Sequence, residues 1–167
     1  AIGVHYAQDY ISRFGFDADR HPAYLPMALG SGSVTPMQMA VGYSVFANGG
    51  YRIAPSFIKK IEHEKGNVLE QFQPVSTSNG AKRVIDPRNA FIMTNMMQDV
   101  INFGTAVKAK QLGRTDLAGK TGTTSNYIDA WFCGYQKNLV TISWMGYDEP
   151  KSLGSNETGG RVALPIW

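Results

Sequence analysis

From Asp116 to Tyr147 the sequence reads as three short strands close together in the chain, and this run limits the fold more than any other part. The first strand carries Asp116-Leu117-Ala118-Gly119-Lys120-Thr121-Gly122-Thr123-Thr124. The second covers about Ala130 to Tyr135 and the third about Leu139 to Tyr147, with Gln136-Lys137-Asn138 at the turn between them. Adjacent strands with tight turns fit an antiparallel sheet, and the helical patterns that precede them supply its cover. The expected class is therefore α+β.

The first strand is also the most informative for chemistry. An extended chain sends alternate side chains to opposite faces, so Lys120 and Gly122 share one face while Thr121 and Thr123 share the other. Gly119 and Gly122 lack a Cβ and leave room for a substrate or a helix to approach the strand. The Lys120 ammonium can attract a carboxylate or stabilise a deprotonated neighbour, and the threonine hydroxyls can donate to it. On an edge strand, the backbone N–H of Thr123 would be free to serve as half of an oxyanion hole. Lys120-Thr121-Gly122 alone also fits an ordinary surface hairpin with a solvated lysine, so the triplet needs support from elsewhere in the chain.

Upstream, Val4, Ala7, Ile11 and Phe14 fall at helical spacing, with Gly15 placed to stop the helix. A polar loop follows through Pro26. Thr35-Pro36-Met37-Gln38 offers a capping hydroxyl, a proline at the first helical position and a glutamine three residues after the cap. The predicted helix packs Met37, Ala40, Val41, Ser44 and Val45 inward and ends at Gly49-Gly50. Strand-like stretches cover about Ile53 to His63 and Val68 to Phe72, turned at Lys65-Gly66-Asn67, and Ser76 to Lys82 reads as a loop. Asp86-Pro87 opens a second capped helix with Ala90, Phe91, Thr94 and Met97 toward the core, stopping near Gly104. A short helical segment, Val107 to Leu112, leads into the Lys120 strand.

The 167 residues can bury one sizeable core, and 43% hydrophobic with 17% charged residues argues against disorder. A net charge of +3 from scattered basic residues gives no case for nucleic acid. Cys133, the single cysteine, lies in an alternating apolar run and reads as a buried, inert thiol. His5, His21 and His63 are widely spaced and show no ligand pattern, so no metal is expected. No apolar stretch is long enough to cross a bilayer. A start at Ala1-Ile2-Gly3 and a stop at Pro165-Ile166-Trp167 read like a piece of something longer.

Four further patterns join the triplet in order along the chain. They are Leu29-Gly30-Ser31-Gly32-Ser33-Val34-Thr35-Pro36, Phe46-Ala47-Asn48-Gly49-Gly50, Asp129-Ala130-Trp131-Phe132-x-Gly134-Tyr135, and Gly159-Gly160 with Ala163-x-Pro165-Ile166-Trp167. With Gly119-Lys120-Thr121-Gly122-Thr123-Thr124 they resemble the transpeptidase domain of the bifunctional, class A penicillin-binding proteins. That resemblance implies the C-terminal part of a penicillin-binding, serine β-lactamase-like domain spanning residues 1–167. It implies Lys120 and Thr123 as catalytic residues, and Thr121, Gly122 and Thr123 as the substrate-binding set. Lys120 would line the groove and assist the serine network. The Thr121 and Thr123 hydroxyls would hold the carboxylate of a D-alanyl-D-alanine donor or a β-lactam, and Gly122 would keep the strand open. Asp129, Trp131 and Phe132 are expected to be structural, with the aromatic pair building the sheet core.

The same resemblance implies peptidoglycan stem peptides and β-lactams as partners, no cofactor, and a place at the periplasmic face of the bacterial inner membrane, with membrane association through regions outside this chain. Two of the family's motifs are missing. The only Ser-x-x-Lys is Ser56-Phe57-Ile58-Lys59, and no Ser-x-Asn exists. Ser56 follows Ala54-Pro55 into a strand-like stretch, where positions i and i+3 face opposite sides, so it is a chance match. An upstream portion of the same protein is expected to complete the site, and this chain alone is expected to be inactive. A D,D-carboxypeptidase, a serine β-lactamase and a noncatalytic penicillin-recognising sensor or scaffold are the competing readings.

Overall fold

The computed structural model describes residues 2–167. Its centre is a three-stranded antiparallel sheet of β5 (Ala118–Thr123), β6 (Ala130–Gln136) and β7 (Leu139–Met145), in that spatial order. Lys137 and Asn138 make the two-residue turn that pairs Gln136 with Leu139. Two short β ribbons precede the sheet: β1 (Tyr51–Arg52) pairs with β4 (Lys82–Arg83), and β2 (Lys60–Glu62) pairs with β3 (Val68–Gln71).

Each face of the sheet has its own cover. On one, Ala118 and Tyr135 pack with Met97, Tyr43, Phe46 and Ala47 from helices α2 (Pro36–Ala47) and α3 (Pro87–Asn102). On the other, Phe132 is fully buried among Ile101, Ala106, Leu117, Ala163 and Leu164. Its ring meets Trp167 edge-on at 5.0 Å. That second cover comes from a π-helical turn, Gly159–Ala163, which runs into the short helix α4 (Leu164–Ile166). The 3-10 segment Val107–Leu112 stands where a short helix was predicted.

The caps are built as the sequence signalled. Thr35 Oγ1 accepts from the Gln38 N–H at 3.1 Å, and Gln38 Oε1 accepts from the Thr35 N–H at 2.8 Å. Asp86 accepts from the Arg88 N–H at 2.8 Å and from its guanidinium at 2.9 and 3.0 Å. This clamp lowers the Asp86 carboxyl to about 2. Gly49 and Gly50, at φ +79° and +109°, turn the chain out of α2 through the left-handed region. The first helix, α1 (Val4–Ser12), ends two residues early, but Phe14 still reaches the core and Gly15 has φ +100°.

Three expectations change. Met37 is exposed, and of the face predicted for α2 only Val45 is fully buried, with Gly42 buried as well, because that helix is packed from two sides. Phe14, Phe16 and Phe46 form a cluster on one flank, while Tyr43 and Ala47 meet the sheet on the other. In α3 the inward positions are Ala90, Met97 and Ile101; Phe91 is 70% exposed because it sits one position round from Ala90. Of the long strand predicted from Ile53 to His63 only β2 forms, and β1 lies just before that stretch. Ile53 to Ile58 is irregular, since Pro55 has no N–H to give a ladder. Ser56 lies in that stretch, its hydroxyl donating to the Ile58 carbonyl at 3.3 Å.

Candidate active-site groove

β5 forms because Gly119-Lys120-Thr121-Gly122-Thr123 continues a buried Leu117-Ala118 start into an alternating polar strand. A bidentate pair from Arg114 to Asp116, at 2.9 and 2.6 Å, braces the approach and lowers the Asp116 carboxyl. Lys120 lies opposite Cys133 and Gly122 opposite Trp131; Thr121 lies opposite Phe132 and Thr123 opposite Ala130. The predicted division of faces holds.

β5 is an edge strand of this sheet, and its ladder phase decides which backbone groups face out. Just beyond the strand, the Thr124 N–H donates to the Asp129 carbonyl at 3.1 Å. Hydrogen-bonded and non-hydrogen-bonded pairs alternate along an antiparallel ladder. Counting back, Gly122–Trp131 and Lys120–Cys133 are bonded pairs, and Thr121 and Thr123 turn their N–H and C=O groups away from β6. The Thr121 carbonyl accepts from Lys120 Nζ at 2.8 Å, which draws the ammonium round to the open edge, 3.5 Å from Thr121 Oγ1.

The hydroxyls stand on the opposite side from the lysine stem. Thr123 Oγ1 accepts from the Gly159 N–H at 3.0 Å. One lone pair is thereby occupied and the hydroxyl proton is left to donate elsewhere. Thr121 Oγ1 and Thr105 Oγ1 are 2.6 Å apart. These three threonines, with Thr158, Gly160, Lys108 and Arg161, wall an open groove of about 430 Å³. Lys120 and Gly122 are not in its walls, so the structure gathers Thr121 and Thr123 into the groove and sets Lys120 at its edge.

The sequence reading missed Thr105, Lys108, Thr158 and Arg161. Only Gly159-Gly160 signalled them, since a glycine pair marks close approach. A Cβ on Gly159 would lie 2.2 Å from the Trp131 carbonyl oxygen and 2.5 Å from that of Gly122. One on Gly160 would lie 2.7 Å from the Thr105 carbonyl oxygen. The missing side chains let the π-helical turn lie against β5 and reach Thr123.

The structural residues behave as predicted, with one refinement. Asp129 Oδ1 accepts from the Trp144 indole at 2.9 Å, and the Trp131 ring lies tilted against Trp144 with centroids 5.8 Å apart. Phe132 alone is core; Trp131 is half-buried on the opposite face. Behind Lys120, burial pushes the Cys133 thiol up to about 12 and raises the Tyr43 phenol as well, so neither ionises near neutrality. His21 is buried with Nε2 unpartnered, edge-on to Phe16 at 5.6 Å. Among the described residues no helix is long and apolar enough to cross a membrane.

Residues 1–166 match the family model of the penicillin binding protein transpeptidase domain. Penicillin-binding protein 1A of Neisseria flavescens is 51% identical over 167 residues, covering 100% of this chain and 21% of that protein. The chain thus spans about a fifth of that relative's length. A crystal structure of penicillin-binding protein 1A from Haemophilus influenzae aligns at TM-score 0.92 and 32% identity, over 99% of this chain and 30% of that one. The PonA1 protein from Mycobacterium tuberculosis, solved in complex with penicillin V, aligns at TM-score 0.74 and 25% identity, over 97% of this chain and 47% of that one. Since the family model covers residues 1–166, the chain belongs to the penicillin-binding protein transpeptidase domains.

Proposed function

We propose that this chain supplies the acyl-donor groove of a peptidoglycan D,D-transpeptidase that works by serine acyl transfer, the nucleophile coming from a part of the protein outside residues 1–167. The observation that carries this reading is the β5 edge. There an outward Thr123 N–H, a Thr123 hydroxyl with its proton free and the Lys120 ammonium meet within one short stretch of strand.

A stem peptide ending in D-alanyl-D-alanine lies along that edge as an added strand. Its terminal carboxylate takes hydrogen bonds from the Thr121 and Thr123 hydroxyls, and its reacting carbonyl oxygen points at the Thr123 N–H. The serine Oγ attacks the carbonyl between the last two alanines, the serine proton passes to the peptide nitrogen as D-alanine leaves, and an ester remains on the enzyme. An amine from a neighbouring stem peptide then attacks the ester, forms the cross-link and returns the proton to serine. The Lys120 ammonium holds positive charge beside the reacting atoms throughout. β-Lactams enter the same route because their ring amide supplies the carbonyl and the fused ring beside the amide nitrogen supplies a carboxylate at a matching position.

The test is a full-length protein given labelled stem peptides with and without an acceptor amine. Free D-alanine together with a cross-linked dimer supports the proposal. D-alanine without dimer favours a D,D-carboxypeptidase, and no release from a folded protein favours a sensor or scaffold.

A further inference from the structure

The groove holds more positive charge than the reading above uses. Four threonines, Lys108 and Arg161 stand in its walls, and no aspartate or glutamate does. Lys108 is exposed and makes no ion pair among the described residues. Arg161 is over half exposed, and its nearest carboxylate, Glu157, is 3.9 Å from Nε, too far for a charge-assisted hydrogen bond. The guanidinium fork is therefore available to another anion. The two cations come from separate elements, the 3-10 segment Val107–Leu112 before β5 and the π-helical turn Gly159–Ala163 behind it. They meet only where these elements flank the threonine face.

We propose that Lys108 and Arg161 are positioning residues that draw the carboxylate of the acyl donor into the groove and hold its charge, while the Thr121 and Thr123 hydroxyls fix its orientation. This rests on the donor-groove reading above and adds a division of labour to it. Hydroxyls give directional bonds but no net charge. Two cations in a concave wall without a carboxylate raise the local concentration of an anionic ligand and speed its capture, an effect that salt screens. Removal of the cations and removal of the hydroxyls thus leave different marks.

The experiment measures the second-order acylation rate of the full-length protein by benzylpenicillin and by its methyl ester, from about 20 mM to 500 mM salt. Wild type should prefer the acid, with a preference that shrinks as salt rises. Lys108→Gln with Arg161→Gln should lower the acid-to-ester ratio about fivefold or more at low salt and flatten its salt dependence. Lys108→Arg with Arg161→Lys, which keeps both charges, should restore the slope. A double glutamine variant with wild-type ratio and slope overturns the proposal. If Thr123→Val still loses selectivity for the acid in that case, the donor-groove reading survives its failure. A wild type that acylates with acid and ester equally overturns both.

Discussion

Thr123 performs two tasks with one residue. Its side-chain oxygen accepts from Gly159, which aims the hydroxyl proton, and its backbone N–H faces the open edge because of the ladder phase. The alternation of β5 was legible in the sequence, and so was the separation of Lys120 from the threonines. The position of the ammonium was not. A lysine on the far face reaches the edge only by folding back onto the Thr121 carbonyl, and strand periodicity carries no information about where a four-carbon stem ends. Lys120→Ala should reduce acylation of the full-length protein about a hundredfold or more, since the positive charge beside the reacting atoms is lost. Stopped-flow acylation under single-turnover conditions checks this, and a change below threefold would remove Lys120 from the reaction. The melting temperature should move little, because the side chain is exposed.

At the level of elements, local signals performed best where the chain ends or turns and worst where faces must be assigned. The Thr35 and Asp86 caps and the Gly49-Gly50 stop depend on neighbours within a few residues. The outward turn of Phe91 depends on which side of α3 meets the sheet, and that choice is tertiary. Asp86 provides a pH test. Its carboxyl sits at about 2 when folded, below the ordinary aspartate value, so its stabilising contribution is complete above about pH 4 and is lost as pH falls through about 2. Asp86→Asn keeps a cap acceptor but no charge, so the fall in stability between pH 4 and 2 should be shallower in the variant than in wild type, as read from denaturant midpoints. Equal slopes would show that the clamp does not matter.

Gly159 tests the join between elements. Alanine there places a methyl against two backbone oxygens that cannot rotate away, so the π-helical turn must lift off β5. Gly159→Ala should cost about 1–3 kcal/mol of stability. It should also slow acylation at least tenfold, since the bond that orients Thr123 is broken. A variant that is destabilised yet acylates at the wild-type rate would separate the turn from the groove.

On the scale of the whole molecule, the proposed division gives this chain the groove and another part of the protein the nucleophile. The fold class and the order of the last three strands were readable because tight turns leave strands one way to pair. Thr105, Lys108 and Arg161 were not readable as a set, since Arg161 lies far along the chain from the other two and joins them only across β5 through the returning C-terminal turn. Ser56 is the only serine spaced correctly from a lysine, yet it sits in an irregular stretch with its hydroxyl bonded to Ile58. Intact-mass analysis of this chain after exposure to benzylpenicillin should therefore show no stoichiometric adduct, and peptide mapping of the acylated full-length protein should place the adduct outside residues 1–167. An adduct on Ser56 would refute the division of the active site.

The carboxylate-reading role proposed for the β5 hydroxyls is tested most directly by one comparison. Acylation of wild type and Thr123→Val full-length protein is measured with benzylpenicillin and with its methyl ester. Valine keeps the backbone N–H and removes only the hydroxyl, and a hydrogen bond to a charged group is worth about 1.5–3 kcal/mol. The account predicts that the variant slows with the acid by roughly ten- to a hundredfold, while its rate with the ester changes far less. Equal slowing with both ligands would contradict it, because Thr123 would then be supporting the strand and not reading the carboxylate.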